Sequence, residues 1–159
     1  MASRSLKFVV WPVLVRSVRT AVAAVVSLLA ARMFRLPEAY WAPITTLVIT
    51  QSSLGAALAV SWQRFLGTVL GAMVGGVAAT HFAPRVFVFG LGVFTLGLLC
   101  AIIRSDRSAY RFAGIALAIV LLVPRTGSPW QIALHRFAEV SIGIVVALIL
   151  AVIWPEREP

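Results

Sequence analysis

Residues 40–77 decide the fold, and they read YWAPITTLVITQSSLGAALAVSWQRFLGTVLGAMVGGV. An apolar run ends near Ile49, and a polar break follows at residues 50–53. The last part carries three glycines, each four residues apart: Gly67, Gly71 and Gly75. In water each glycine costs a helix about 1 kcal/mol relative to alanine, whereas in a membrane a glycine face lets another helix backbone approach closely. The stretch therefore predicts two spanning helices joined by an interfacial segment, with a packing surface on the second helix.

The composition of the whole chain indicates that its solvent is lipid. The 159 residues are 61% hydrophobic and only 12% charged, with a mean hydropathy of +1.00. An ordinary soluble domain carries about 45–50% apolar and about 25% charged residues. A soluble core of this size could not bury so much apolar surface. We therefore predict an all-α integral membrane protein that forms a single membrane domain over residues 1–159.

The charge pattern argues against a nucleic-acid partner. Fourteen Lys and Arg against five acids give a formal charge of +9. Nucleic-acid binding would gather these cations on one solvated face. Here they stand singly or in small groups between apolar runs, which is typical of a membrane protein. We expect membrane lipid, and no nucleic acid, to be a partner of this chain.

Six apolar segments are expected to cross the membrane. They cover about residues 16–34, 41–49, 65–82, 86–103, 112–123 and 137–154. The second and fifth are shorter than the roughly 20 residues of a full crossing, and a polar interfacial segment is expected after each. With six spans, one side of the membrane holds nine Lys and Arg and the other side holds five. Because cytoplasmic segments carry the excess of positive charge, both termini are expected in the cytoplasm.

An internal repeat appears when the sequence is shifted by 72 residues. The shift places Arg64-Phe65 on Arg136-Phe137, and it aligns the small residues Gly71, Gly75 and Ala79 with Gly143, Ala147 and Ala151. The two copies would cover about residues 16–82 and 86–154. Because each copy has three spans, the second must enter from the opposite side of the membrane, which gives two inverted three-helix repeats. Arg64 and Arg136 would then begin their helices at opposite faces.

Several of these stretches resemble a known family. They are YWAPIT at residues 40–45, QSSLG at 51–55, RFLGTVLG at 64–71 and RFAE at 136–139. Together they look like the fusaric acid resistance-like family, whose members include aromatic acid exporters. The plant aluminium-activated malate transporters are similar in architecture. The resemblance implies an inner-membrane domain of six helices that moves organic anions outward.

Four charged positions are candidates for the substrate pathway. Arg19 lies one turn inside the first span, where it either fixes orientation at the cytoplasmic end or offers a guanidinium to an incoming carboxylate. Glu139 is the only acid within a predicted span, and Arg136 and His135 are spaced to reach it on one helical face. Glu139 could serve as one partner of an ion pair at the membrane boundary. The alternative is a carboxylate that takes part in proton coupling. The cations Arg64 and Arg136 complete the charged candidates.

Polar and aromatic residues of the second span are further candidates. Thr45, Thr46, Gln51 and Ser52 either hydrogen-bond to neighbouring helices or line a polar pathway. Trp41 belongs either to the interfacial aromatic belt or to a surface that stacks on an aromatic acid. A separate set of small residues is predicted to serve helix packing. This set comprises Gly67, Gly71, Gly75, Gly143 and Ala147.

The residues favour a transporter over an enzyme. Two distant histidines and one cysteine give no metal-ligand spacing, and no phosphate-binding loop or nucleophile elbow is present in the sequence. We expect no enzyme activity, cofactor or metal. The leading hypothesis is an exporter of organic, especially aromatic, anions that works as a homo-oligomer, with a dimer favoured. An anion channel on the same scaffold and a non-transporting membrane subunit of a larger assembly are the alternatives.

Overall fold

A computed structural model describes residues 2–50, 53–82, 86–123 and 127–154. These residues form six α-helices, with no strand among them. The helices are α1 (Ala2–Met33), α2 (Trp41–Ile49), α3 (Leu54–His81), α4 (Val86–Ile102), α5 (Arg107–Leu122) and α6 (Pro129–Ile153). The predicted all-helical architecture with six helices is therefore confirmed.

Three helical stretches are long and apolar enough to cross a bilayer. They are Val13–Met33, Leu54–His81 and Pro129–Ile153, and α4 is equally apolar but shorter. Large apolar side chains point outward along the bundle, and Phe87 on α4 is 80% exposed. In water such a surface would aggregate, whereas in a bilayer it meets lipid. The chain is therefore a membrane protein.

Four helices begin earlier than the predicted spans. α1 begins at Ala2 instead of about residue 16, and α5 begins at Arg107 instead of about residue 112. The third and sixth spans were expected to begin at residues 65 and 137, but α3 begins at Leu54 and α6 begins at Pro129. A capping box explains the earlier start of α6, because Ser128 and Gln131 satisfy each other's backbone N–H groups. The polar segments before residues 65 and 137 continue these helices, so the prediction of separate interfacial segments is wrong. α2 begins and ends where the second span was expected.

The glycine face of α3 lies against α5. A methyl group added at Gly71 would come within 2.8 Å of Ala116 Cβ and would overlap the backbone carbonyl of Ala113. Gly67 meets the carbonyl of Ala109 in the same way, one turn earlier. The two backbones are therefore in direct contact, which is the arrangement that small residues permit in membranes. This contact brings the start of α5 next to the middle of α3.

A second close contact joins α6 to α2. At Gly143 an added methyl group would lie 2.6 Å from Thr45 Cβ on α2. α3 and α6 pack on each other in antiparallel fashion, since Gly76 near the end of α3 contacts Trp130 at the start of α6. Ala57, near the start of α3, shares a hydrophobic cluster with Ala147 of α6. The middles of α3 and α6 therefore face each other, and the short helices α2 and α5 flank this crossing.

Candidate functional site

Arg136 of α6 is buried, with 3% of its surface exposed, and its charge is fully partnered. Its Nη1 donates to Glu139 Oε2 at 2.9 Å and lies 3.7 Å from Glu38 Oε2. Its guanidinium carbon stands 3.9 Å above the ring centre of Trp41. A buried cation needs this kind of compensation, because an isolated charge in an apolar medium is very costly.

The two acids at Arg136 also join the turn between α1 and α2 to α6. Glu139 is completely buried, and its Oε1 accepts the backbone N–H of Glu38 at 3.1 Å. Glu38 Oε2 in turn accepts the indole N–H of Trp41 at 3.1 Å. The pairing of Glu139 with Arg136 agrees with the expected spacing, but the pair lies inside the protein. Glu38 was not among the predicted site residues, although its spacing of three residues from Trp41 could have suggested the contact.

Arg64 of α3 is buried to a similar degree but has a different environment. It is 6% exposed, and its Nε donates to Thr45 Oγ1 at 3.1 Å. Its guanidinium carbon lies 4.8 Å from the ring centre of Phe112 on α5. Within the described ranges, no carboxylate lies at ion-pair distance from Arg64. Its charge is therefore met by a hydroxyl and an aromatic face.

Both arginines line one small cavity. It lies between α3, α5 and α6, and its walls include Arg64, Thr68, Phe112, Arg136 and Val140. Its volume of about 10 Å³ gives room for at most one water molecule. The prediction that Arg64 and Arg136 begin their helices at opposite faces is therefore wrong. They lie about three and two turns inside their helices, at the place where α3 and α6 cross.

The short helix α2 connects the two arginines. Trp41 in its first turn lies under Arg136, and Thr45 one turn later accepts from Arg64. Thr45 Oγ1 also lies 3.1 Å from the carbonyl of Trp41, to which it donates its proton. A single helix therefore holds a group against each guanidinium. We call the following set the double-arginine site: Arg64, Arg136, Trp41, Thr45, Phe112, Glu38 and Glu139.

Two other predicted pathway residues, Thr46 and Arg19, lie outside this site. Thr46 is buried and its Oγ1 lies 3.0 Å from the backbone carbonyl of Gly143, so it joins α2 to α6. Arg19 is buried on α1 but does not line the cavity between the two arginines. Gln51 and Ser52 fall outside the described residues. Phe112 was not among the predicted site residues, because nothing in the sequence indicates that α5 carries it to Arg64.

Comparisons with known proteins identify a family and several relatives. The model of fusaric acid resistance protein-like sequences matches residues 22–150. The chain is 29% identical over 149 residues to the inner membrane protein YeeA of Escherichia coli (strain K12), which covers 91% of this chain and 42% of YeeA. It is 27% identical over 148 residues to the uncharacterized transporter YdhK of the same strain, over 87% of this chain and 22% of YdhK. The chain thus spans less than half the length of these curated relatives, and no solved structure matches it.

Proposed function

This chain belongs to the fusaric acid resistance protein-like family, and from that premise we propose that it is an inner-membrane transporter that exports organic anions, aromatic ones in particular. The family and a relative described as a transporter support membrane transport. The observation that carries the anion assignment is the double-arginine site. Two guanidinium groups are buried side by side there, and the described ion pairs of Glu38 and Glu139 at the site are with Arg136.

The chemistry of the site suits an aromatic carboxylate. A carboxylate that enters hydrocarbon needs a positive partner, and arginine offers charge-assisted hydrogen bonds in a planar fork. Each arginine of this site also has an aromatic ring on one face, Phe112 for Arg64 and Trp41 for Arg136. An aromatic substrate could pack its ring beside these side chains while its carboxylate meets the guanidinium.

The size of the cavity favours a carrier over a pore through this chain. A space of about 10 Å³ between the two arginines is far too small for an aromatic acid. Substrate could reach Arg64 only if the helices around the crossing move apart. Such movement is how transporters with inverted repeats alternate access to a site near the middle of the bilayer. An anion channel would instead need a continuous open path, and it is the second candidate.

Two observations support the two inverted three-helix repeats that we propose over residues 16–82 and 86–154. Gly71 of α3 packs on α5, and its counterpart Gly143 of α6 packs on α2. The long helix of each half therefore packs on the short helix of the other half. Arg64 lies over a ring of α5, and its counterpart Arg136 lies over a ring of α2. Three spans in each half would place both termini on one side. The distribution of Lys and Arg favours the cytoplasmic side for a multi-pass protein.

Transport can be tested with purified protein in liposomes and a panel of aromatic and aliphatic acids. We expect flux of aromatic acids that increases with an imposed pH gradient. Flux that ignores the gradient would favour the channel. No flux of any acid, from protein that is folded and inserted, would favour a non-transporting subunit and would overturn the proposal. The oligomeric state, for which we propose a dimer, follows from the mass of the protein in nanodiscs.

A further inference from the structure

The two arginines of the site differ in their described partners, and only Arg136 has a described carboxylate at ion-pair distance. Arg136 is held by Glu139 at 2.9 Å and has Glu38 at 3.7 Å. Arg64 is equally buried, but in the described part of the chain it meets only the Thr45 hydroxyl and the Phe112 ring. Otherwise the two sites are alike, since each guanidinium has an aromatic ring on one face. Arg64 therefore lacks the one kind of partner that its counterpart has.

The hydroxyl of Ser61, one turn before Arg64 on α3, has no described hydrogen-bond partner. Ser61 is buried on α3, and its Oγ has no hydrogen-bond partner among the described residues. It lies three residues before Arg64 and thus on the same helical face. Long side chains on a helix lean toward its N-terminus, and Ser61 lies on that side of Arg64. A buried hydroxyl is normally satisfied, and one without a partner beside a cation calls for an explanation.

Thr45 has a different role from Ser61. Its hydroxyl proton is used on the carbonyl of Trp41, so toward Arg64 it acts only as an acceptor. It can orient the guanidinium but cannot donate to an anion. The Ser61 hydroxyl and the terminal N–H groups of Arg64 are the donors that remain. A carboxylate has two oxygens that accept such donors.

We propose that Arg64 and Ser61 bind the carboxylate of one substrate anion, and that Glu139 occupies the equivalent place on Arg136, so that each chain binds one anion. This inference depends on the proposed transport of anions and assigns its binding residues. Thr45 acts as a positioning residue. The contact of Glu139 with Arg136 illustrates the geometry that we propose for the substrate carboxylate at Arg64. In it, a carboxylate contacts a buried guanidinium that has an aromatic ring on one face. Glu38 supports Glu139 through its backbone N–H.

The test measures benzoate binding to the purified chain in nanodiscs by equilibrium dialysis, which reports affinity and stoichiometry without any transport. The wild type should bind one benzoate per chain. Arg64→Gln should weaken binding at least tenfold, and Ser61→Ala should weaken it about tenfold, because each removes a hydrogen bond to a charged group. Ser141→Ala is the matched control, since its Oγ is also buried without a described partner but the residue lies on α6, not one turn before Arg64 on α3. It should bind like the wild type.

Unchanged affinity in both Arg64→Gln and Ser61→Ala, or no benzoate bound by the wild type, would each overturn the inference. If Arg64→Gln does not fold, Ser61→Ala still decides the matter. If the wild type transports benzoate but Arg64→Gln binds it with unchanged affinity, this inference is refuted and the transport proposal is not. If benzoate binds as described here but the wild type shows no flux, the transport proposal is refuted and this inference is not.

Discussion

The contact between α3 and α5 makes a quantitative prediction at Gly71. A Cβ atom at this position would lie 2.8 Å from Ala116 Cβ and would overlap the carbonyl of Ala113. The obstacle includes backbone, so α5 must shift before any side chain fits. Gly71→Leu should therefore cost about 1–3 kcal/mol or more through overpacking. The better helix propensity of leucine, about 1 kcal/mol, offsets only part of this.

Gly90 on α4 provides the matched control. It is exposed, and nothing lies within 4 Å of an added Cβ atom. Gly90→Leu should keep or raise stability, since it gains helix propensity and adds only lipid-facing surface. The assay is thermal unfolding of both variants in the same detergent, followed by size-exclusion chromatography. A Gly71→Leu protein that unfolds at the same temperature as Gly90→Leu would refute the close contact between α3 and α5.

Three further predictions concern topology, coupling and packing. Reporter fusions after Glu38, Pro84 and Thr126 should all report the external side, and one clear cytoplasmic signal among them would contradict six spans with cytoplasmic termini. Glu139→Gln should allow anion flux but weaken the dependence of that flux on a pH gradient, because it removes a buried carboxylate from the site. If flux in this variant depends on the gradient as fully as in the wild type, Glu139 takes no part in proton coupling. Thr46→Val should lower stability in detergent by about 0.5–1.5 kcal/mol through loss of the bond to α6, and an unchanged unfolding temperature would show that this bond contributes nothing.

The sequence predicts α2 and α4 better than the other helices, for a physical reason. α2 and α4 begin and end where the strongly apolar runs do, within one residue. α3 and α6 begin earlier than predicted because polar residues within them, Gln63-Arg64 and His135-Arg136, are assigned to an interface by hydropathy. The S-x-x-Q pattern at residues 128–131 was a readable signal for the earlier start of α6. For α3, the N-cap residue Ser53 makes no side-chain hydrogen bond that would mark its start.

The candidate site is less predictable than the helices, because it depends on where two helices cross. Glu139 and Arg136 are neighbours on one helix, so their spacing predicts their contact. The nearness of Arg64 to Arg136 follows from the antiparallel packing of α3 on α6, which no local pattern encodes. Glu38 and Phe112 join the site from a turn and from another helix for the same reason. The glycine spacing on α3 predicted a packing face but not which helix would lie against it.

The most direct test of anion transport through the double-arginine site is benzoate flux by Arg64→Gln in liposomes. Arg32→Gln is the control, because Arg32 is an exposed arginine at the end of α1 and the same charge is lost. Both proteins are reconstituted at equal amounts, and their insertion and oligomeric mass are verified. We expect Arg64→Gln to reduce benzoate flux at least tenfold while Arg32→Gln transports like the wild type. Equal flux in the two variants would contradict passage of the anion by way of Arg64.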